Sequence, residues 1–245
     1  PMLWLDATDS SLMDTGFELA DNIPSNGQKV GFWKDKSGKG YNAVGKNLSN
    51  FDGRLPIYRS SGFNGQDKPY IDFSNDCMII ENSEVDFDNW NELSVFSVLR
   101  PSRGNWNANF GKFTDNASGS WVFFSKRPDF LNPTYFFKID GSGGTDLVDF
   151  ASMNLLDEGL IYLRFGGGRR QVFYNGYKLL DITDSGSIKS TPELPLSIGA
   201  SPYVHNSASG LRLAELFVFK NLLADDVRFQ LEGYLAHKWQ ITKKI

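Results

Sequence analysis

The sequence has few of the residues on which metal and redox sites depend. It contains one cysteine, Cys77, and two histidines, His205 and His237, among 245 residues. One cysteine excludes an internal disulfide and any site built from several cysteines, and two histidines are too few for a histidine-rich zinc centre. Neither histidine lies near a nucleophile elbow of the Gly-x-Ser-x-Gly type. Cys77 opens the apolar run 77–80, which favours a buried side chain.

Long apolar runs and clusters of basic residues are also missing. No apolar run approaches the roughly 20 residues needed to cross a bilayer, so the sequence predicts no membrane insertion. The 25 lysines and arginines are scattered and are outnumbered by 29 aspartates and glutamates, so no nucleic-acid partner is predicted. The chain begins Pro1-Met2-Leu3-Trp4 without a secretory leader, as expected of a processed chain or an excised module.

Aromatic residues are abundant, and most of the chain alternates between apolar and polar residues. The 6 Trp, 9 Tyr and 20 Phe are enough for a large core. Period-2 alternation between Gly, Asn, Asp, Ser and Pro clusters predicts an all-β protein, with residues 1–245 forming a single domain. The predicted strands are Lys29–Trp33, Tyr70–Phe73, Leu93–Arg100, Trp121–Phe124, Tyr135–Ile139, Leu160–Phe165, Arg170–Tyr174, Leu194–Ile198 and Leu211–Phe219.

Two local signals refine this prediction. Asn175-Gly176 lies between two apolar runs and predicts a hairpin turn, because both central positions need positive φ. Leu211–Phe219 is the most apolar strand despite Glu215, so it is expected at the centre of a sheet. The Asn-rich stretch from Trp90 to Asn116 is expected to form long loops around the strand at Leu93–Arg100.

The last segment has helical periodicity. Apolar residues at Val227, Leu231, Tyr234 and Leu235 predict one amphipathic helix over residues 225–239, which closes an otherwise β protein. Asp225 and Asp226 are expected to cap its N-terminus and to place negative charge at the positive end of the helix.

Four segments together resemble the concanavalin A-like lectin/glucanase superfamily, in its laminin-G-like branch. They span the chain in the order expected for that branch, and the second follows its W-x-D-x-S-G-x-G-x-N-A signature. The segments are Leu3-Trp-Leu-Asp-Ala-Thr-Asp9, Trp33-Lys-Asp-Lys-Ser-Gly-Lys-Gly-Tyr-Asn-Ala43, Leu93-Ser-Val-Phe-Ser-Val-Leu-Arg100, and Leu213-Ala-Glu-Leu-Phe-Val-Phe219 with Leu231-Glu-Gly-Tyr-Leu-Ala-His-Lys-Trp239.

The resemblance implies a two-sheet antiparallel jelly-roll β-sandwich with a C-terminal α-helix. It also implies a non-catalytic lectin-like module that binds a glycan or polysaccharide, as part of a larger extracellular, cell-surface or virion-surface protein. A second hypothesis is a structural, adhesion or assembly domain of a virus or phage particle, which contacts neighbouring domains or subunits and has no sugar site. A third is a glycan hydrolase of the laminarinase type.

The segment Asp35-Lys-Ser-Gly-Lys-Gly40 has two interpretations. Glycines permit left-handed backbone, and the Asp35 carboxylate can accept bonds from the turn amides while Asn42 caps the other side, which favours a structural turn. Alternatively, Asp35 and Ser37 offer oxygen ligands to calcium, a common ion in the superfamily. No cofactor is required by the sequence, and calcium is a candidate only.

The hydrolase hypothesis depends on Glu84-Val-Asp86-Phe-Asp88. On a strand these three carboxylates would share one face and resemble the E-x-D-x-E motif of laminarinase-type enzymes. A retaining mechanism needs two carboxyl groups about 5–5.5 Å apart, and Asp88 is one methylene shorter than the acid/base of that motif. The alternative is an acidic loop before the Leu93 strand.

Two loops combine aromatic and polar side chains in the way that sugar recognition requires. An aromatic ring can stack on the apolar face of a pyranose while amide, imidazole or carboxylate groups bind its hydroxyls. Trp106 lies between Asn105 and Asn107, and Tyr203 is followed by His205. These five residues are the predicted ligand-binding set, although Trp106 could instead cover the edge of the core.

Overall fold

The computed structural model describes residues 1–45, 55–74, 76–81, 87, 90–102, 107–113, 119–126, 134–139, 157–191, 193–200 and 210–242. These residues form strands and one long helix. They are β1 Leu3–Asp6, β2 Met13–Asp14, β3 Phe32–Trp33, β4 Ala43–Gly45, β5 Ile57–Arg59, β6 Tyr70–Phe73, β7 Cys77–Ile80, β8 Leu93–Arg100, β9 Asn107–Phe113, β10 Gly119–Lys126, β11 Thr134–Ile139, β12 Gly159–Gly166, β13 Arg169–Tyr174, β14 Tyr177–Thr183, β15 Leu196–Gly199, β16 Leu211–Phe219 and α1 Asp225–Trp239.

The strands form two antiparallel eight-stranded sheets. Sheet 1 has the order β14-β13-β12-β8-β16-β6-β5, and β1 pairs with the part of β16 that β6 leaves unpaired. Sheet 2 has the order β11-β10-β9-β15-β7-β4-β3-β2. Apolar side chains from both sheets form one buried cluster. The predicted two-sheet antiparallel sandwich with a C-terminal helix is therefore confirmed.

The central position of β16 is also confirmed, and its irregular sequence has a structural cause. The strand pairs with β8 along one edge and with β6 and β1 along the other. A register shift between Leu213 and Glu215 changes which face each later residue occupies. Leu213 and Leu216 therefore both enter the core between the sheets, whereas Glu215 lies on the outer face of sheet 1 with Phe217.

The Asn-rich stretch contains more strand than expected. Asn107–Phe113 forms β9, which pairs with β10 and β15 inside sheet 2 rather than belonging to a loop. Ala108 and Phe110 are buried in β9, and Gly111 lies where an added Cβ would meet the Trp121 carbonyl oxygen at 2.4 Å. The polar residues and the glycine make this segment look like a loop in the sequence, although it forms a strand. The register of the strand depends on close contact with β10.

Helix α1 covers the outer face of sheet 1 with a face that includes only part of the apolar set, Leu231 and Leu235. Val227 and Tyr234 are 45% and 49% exposed, whereas Arg228, Glu232, Leu235 and Trp239 are buried. The Arg228 guanidinium lies 4.7 Å from the Phe173 ring centroid, so its charge is accommodated over an aromatic surface.

The N-terminus of α1 differs from the prediction too. The N-cap residue is Ala224, and it makes no side-chain capping bond. Asp225 and Asp226 lie in the first turn, so they contribute favourable charge at the helix start without capping it.

Candidate functional site

The first and last of the segments quoted for the resemblance meet at the carboxylate of Glu215. This side chain is fully buried on the outer face of sheet 1. Its oxygens accept hydrogen bonds from the indole Nε1 of Trp4 at 2.9 Å, from Trp239 Nε1 at 2.6 Å and from Lys238 Nζ at 2.9 Å. Strand β1, strand β16 and the end of α1 are thereby joined through one buried charge.

A second carboxylate, Asp6, extends this cluster. Its Oδ2 lies 2.8 Å from Lys36 Nζ and 3.0 Å from Lys238 Nζ, so two carboxylates alternate with two ammonium groups. The Lys36 ammonium also lies 4.6 Å from the Trp4 ring, which stacks on Phe217 at 5.2 Å. We call Asp6, Lys36, Glu215 and Lys238 the buried ion cluster.

The ionisation of the cluster follows from burial and from these neighbours. Burial, with the nearby Asp6 charge, raises the pKa of Glu215 against the opposing effect of Lys238 and Trp239. For Asp6, hydrogen bonds from Lys36 and Thr8 and the Lys238 charge outweigh burial and lower the pKa. Burial alone would lower the pKa of Lys238, but Glu215 and Asp6 raise it. These residues therefore join β1, β16 and α1 through paired charges.

The Asp35 turn has the geometry of the structural interpretation. The Asp35 carboxylate accepts from the backbone N–H of Trp4, Ser37 and Tyr41 at 2.8–3.2 Å and from the Ser37 hydroxyl at 2.6 Å. Its own N–H donates to Asn42 Oδ1 at 3.0 Å. These bonds tie the turn to β1, and Gly38 and Gly40 both have φ +81° as predicted. Calcium binding by Asp35 and Ser37 stays a prediction.

Most of the other predicted site residues lie outside the described part of the chain. These are the acidic set Glu84, Asp86 and Asp88 and the loop residues Asn105, Trp106, Tyr203 and His205. Asn107 begins β9. Where these side chains lie relative to one another therefore stays a prediction.

A polar depression lies where α1 ends against the β13–β14 hairpin. We call it the inner pocket; its volume is about 230 Å³, and it is lined by Asn64, Asp157, Glu158, Tyr174, Asn175, Ile241 and Thr242. Asp157 and Thr242 are exposed, whereas Tyr174 and Asn175 are buried. Two carboxylates, a phenol, two amides and a hydroxyl thus converge on one concavity.

Local bonds fix the walls of the inner pocket. Asn175 occupies the predicted hairpin turn with φ +49°, and its Oδ1 accepts from the Leu160 N–H at 2.8 Å. The Tyr174 hydroxyl donates to the Asp157 carbonyl at 3.3 Å; burial and the Asp157 charge raise its pKa to about 12, so it stays a protonated donor. Glu158 lies 3.1 Å from Arg212.

Asn64 connects the opposite wall to the helix. Its Nδ2 donates to the carbonyls of Trp239 and Gln240 at 3.4 and 3.0 Å, and its backbone has φ +53°. The chain therefore holds the end of α1 beside the start of β12 through an amide side chain that also faces the pocket.

A second, more open depression adjoins the first along Ile241 and Thr242. We call it the outer pocket; its volume is about 530 Å³, and it is lined by Lys68, Ala236, His237, Lys238, Gln240, Ile241 and Thr242. Its lining, taken over the residues that the structure describes, contains three basic side chains and no carboxylate, in contrast to the inner pocket. The two together form the C-terminal groove.

Sequence reasoning missed this groove. Its residues come from four separate segments, of which sequence analysis singled out only the Asn175-Gly176 turn and the helical segment that ends at Trp239, neither as a binding site. No group of three or more His, Cys, Asp or Glu side chains among the described residues is placed to hold a metal ion. Of the helices in the described ranges, none has both the length and the apolar character needed to cross a bilayer.

Comparison by sequence identifies no relative: no protein-family model matches the chain, and no curated protein matches it. Comparison by structure does find similar folds. A GH54 α-L-arabinofuranosidase soaked with a cyclic sulfate inhibitor has a TM-score of 0.63 and 10% identity, over 95% of this chain and 61% of that one.

Two further structures resemble the chain. The binding domain of Paraclostridial mosquitocidal protein 1 has a TM-score of 0.57 and 15% identity, over 85% of this chain and 51% of that one. Domain 4 of AbnA, a GH43 extracellular arabinanase from Geobacillus stearothermophilus, in complex with arabinotriose, has a TM-score of 0.54 and 13% identity, over 81% and 92%. The chain thus spans only about half to three fifths of the first two structures. At these identities the likeness shows a shared fold.

Proposed function

We propose that this chain is a non-catalytic glycan-binding module and that the inner pocket of the C-terminal groove is one of its binding sites. The observation that carries the proposal is the convergence of two carboxylates, two amides and a phenol on one rigidly walled pocket. Carboxylate and amide groups bind sugar hydroxyls as acceptors and donors. At about 230 Å³ the pocket is smaller than most drug-sized sites and suits one sugar ring.

The structural neighbours support this proposal. One of them holds arabinotriose, and another is an arabinofuranosidase with an inhibitor. The two-sheet sandwich of this chain is therefore an architecture on which carbohydrate recognition occurs. An architecture hosts many functions, so the pocket carries the proposal and the fold only supports it.

The predicted loop residues remain part of the proposal. Asn105, Trp106 and Asn107 would form one aromatic-polar site, and Tyr203 with His205 would form another. Calcium at Asp35 and Ser37 and an extracellular, cell-surface or virion-surface location are proposed on the family resemblance alone.

A glycan array, read with and without calcium, tests the function, and calorimetry on the best ligand locates the site. Asp157→Asn keeps the shape of the side chain but removes its charge, so we expect binding weaker by about ten- to 100-fold through the loss of a charged hydrogen bond worth about 1.5–3 kcal/mol. Asp21→Asn, on an exposed loop far along the chain, is the matched control. Trp106→Ala shows whether that loop also binds.

Absence of binding to any array glycan would contradict the proposed function. Equal affinities for Asp157→Asn and for the unmodified chain would move the site away from the inner pocket, and a loss on Trp106→Ala alone would place it in the predicted loop.

A second candidate function, assembly with neighbouring domains or subunits, is favoured by a different observation. Several large apolar side chains are exposed, both on the loop between β2 and β3 and on α1. They are Phe17, Leu19, Ile23, Val227, Phe229 and Tyr234. The hydrolase hypothesis is tested separately by a reducing-end assay on laminarin, with Glu84→Gln as the variant that should abolish any activity found.

A further inference from the structure

The two pockets of the C-terminal groove differ in charge, and this difference bears on which ligand fits. The inner pocket contains Asp157 and Glu158, whereas the outer pocket contains Lys68, His237 and Lys238. They meet at Ile241 and Thr242, so a ligand longer than one sugar ring would contact both. Such a ligand must offer hydrogen-bond donors at one end and acceptors or negative charge at the other.

The basic side chains of the outer pocket are not equivalent. Lys238 Nζ lies 2.9 Å from Glu215 and 3.0 Å from Asp6, so its charge is already compensated in the buried ion cluster. Lys68 forms no ion pair within the described residues, and its side chain is only partly buried. Lys68, with the exposed His237 imidazole beside it, is therefore the cation that a ligand can use.

The C-terminus of α1 would otherwise repel an anion in the outer pocket, because helix C-termini carry partial negative charge. Here four carbonyls at the helix end accept hydrogen bonds within the chain. The carbonyls of Ala236 and His237 accept from the backbone N–H of Ile241 and Gln240, and those of Trp239 and Gln240 accept from Asn64. These bonds partly offset the negative charge of the helix end beside the basic side chains of the outer pocket.

From this arrangement we infer that the C-terminal groove binds an acidic oligosaccharide. A neutral sugar residue lies in the inner pocket, its hydroxyls donating to Asp157 and Glu158. The next residue carries a carboxylate or sulfate, which pairs with Lys68 in the outer pocket. This inference rests on the proposed function and specifies the ligand class of the same site.

Matched pairs of ligands test it by calorimetry. One pair is 3′-sialyllactose and lactose; the other is xylotriose with and without a glucuronic acid branch. An exposed ion pair contributes about 0.2–1 kcal/mol, so the acidic member should bind about 1.4- to fivefold tighter at low salt, and the preference should shrink at high salt. Lys68→Gln should abolish the preference by weakening the acidic member more than the neutral one. Lys189→Gln, at an exposed lysine on another loop, is the control.

The other possible results distinguish a failure of the acidic preference from a failure of the proposed function. Equal binding of acidic and neutral members to the unmodified chain overturns the inference, and so does a Lys68→Gln variant that weakens both members alike. If neutral members bind and Asp157→Asn weakens them, the proposed function stands without the acidic preference. If none of the four ligands binds, the inference fails and the glycan array alone decides the proposed function.

Discussion

At the scale of single residues, the most consequential side chain is the carboxylate of Glu215. It is buried on the outer face of sheet 1 and is matched by one ammonium group and two indole N–H donors. Removing one partner from a buried ionic group leaves the others desolvated and unsatisfied. The stability of the sheet–helix contact therefore depends on keeping the whole cluster.

Glu215→Ala should lower the free energy of unfolding by about 3–5 kcal/mol, because Lys238 and the Trp4 and Trp239 indoles would lose their common acceptor. Urea unfolding followed by tryptophan fluorescence measures this loss. Glu193→Ala, at an exposed glutamate, should change stability by less than about 0.5 kcal/mol. Similar midpoints for the two variants would show that the cluster contributes little.

Asp6 gives this cluster a pH dependence. Its pKa is lower in the folded chain than the ordinary 3.8, so its ionised form stabilises the fold. That contribution is complete above the unfolded pKa and is lost as the pH falls through the folded pKa. Asp6→Asn should therefore be less stable than the unmodified chain at pH 7, and the difference should shrink as the pH falls below 3.8.

Urea midpoints at several pH values measure that difference, with Asp67→Asn as the exposed control. A gap between Asp6→Asn and the unmodified chain that stayed constant across the acid range would contradict the assigned role of the Asp6 charge.

At the scale of elements, α1 shows how tertiary contacts override an apolar stripe. The spacing of Val227, Leu231 and Tyr234 is helical, yet the sheet contacts a face that includes Arg228 and Glu232. Sheet 1 is rich in aromatic side chains there, and Phe173 accepts a guanidinium as a neighbour. Counting hydrophobic residues cannot detect such a contact, because the preference arises from the partner surface.

Gly233 lies in the middle of α1, although glycine has a low helix propensity, and a substitution can test whether the helix needs it. An added Cβ there meets nothing within 4 Å, so no contact within the chain requires glycine. Gly233→Ala should raise the free energy of unfolding by about 0.5–1 kcal/mol through the lower backbone entropy of the unfolded chain. Gly38→Ala, at φ +81°, should lower it. Thermal unfolding measures both; a destabilised Gly233→Ala would mean that the glycine serves a contact.

Strands whose residues alternate regularly between apolar and polar were predictable from the sequence. Strands whose conformation depends on pairing with neighbouring strands were not. Tyr70–Phe73, Leu93–Arg100 and Leu211–Phe219 have the predicted bounds, because their own residues mark both the buried face and the ends. Asn107–Phe113 was predicted as loop because asparagine and glycine favour turns. Its strand conformation comes from pairing with β10 and β15, which is information that a local window does not contain.

At the scale of the whole molecule, the candidate site arises only when distant segments meet. Asn64, Asp157, Asn175 and Thr242 are far apart in the sequence and have no common motif. The family signature pointed elsewhere, to Asp35 and to the residues around Glu215, and those residues join β1, β16 and α1. The quoted segments therefore describe mainly the framework of the sandwich, whereas the inner pocket forms from residues outside them.

The two candidate functions differ in the state of the whole molecule. A glycan-binding module should be monomeric, whereas an assembly domain should associate through its exposed apolar side chains. We expect sedimentation analysis to show one species whose mass does not depend on concentration. Association that increases with concentration and is reduced by Phe229→Ser or Tyr234→Ser would favour assembly.

The position of Arg228 also constrains how this chain can evolve. Its guanidinium lies 3.8 Å from the Glu232 carboxylate beneath the helix, one turn further along. A neutral residue at 228 would leave that acid without its cationic neighbour, whereas neutral residues at both positions would leave an ordinary apolar contact. Homologues should therefore exchange the two positions together, and covariation between them would identify chains that dock this helix in the same orientation.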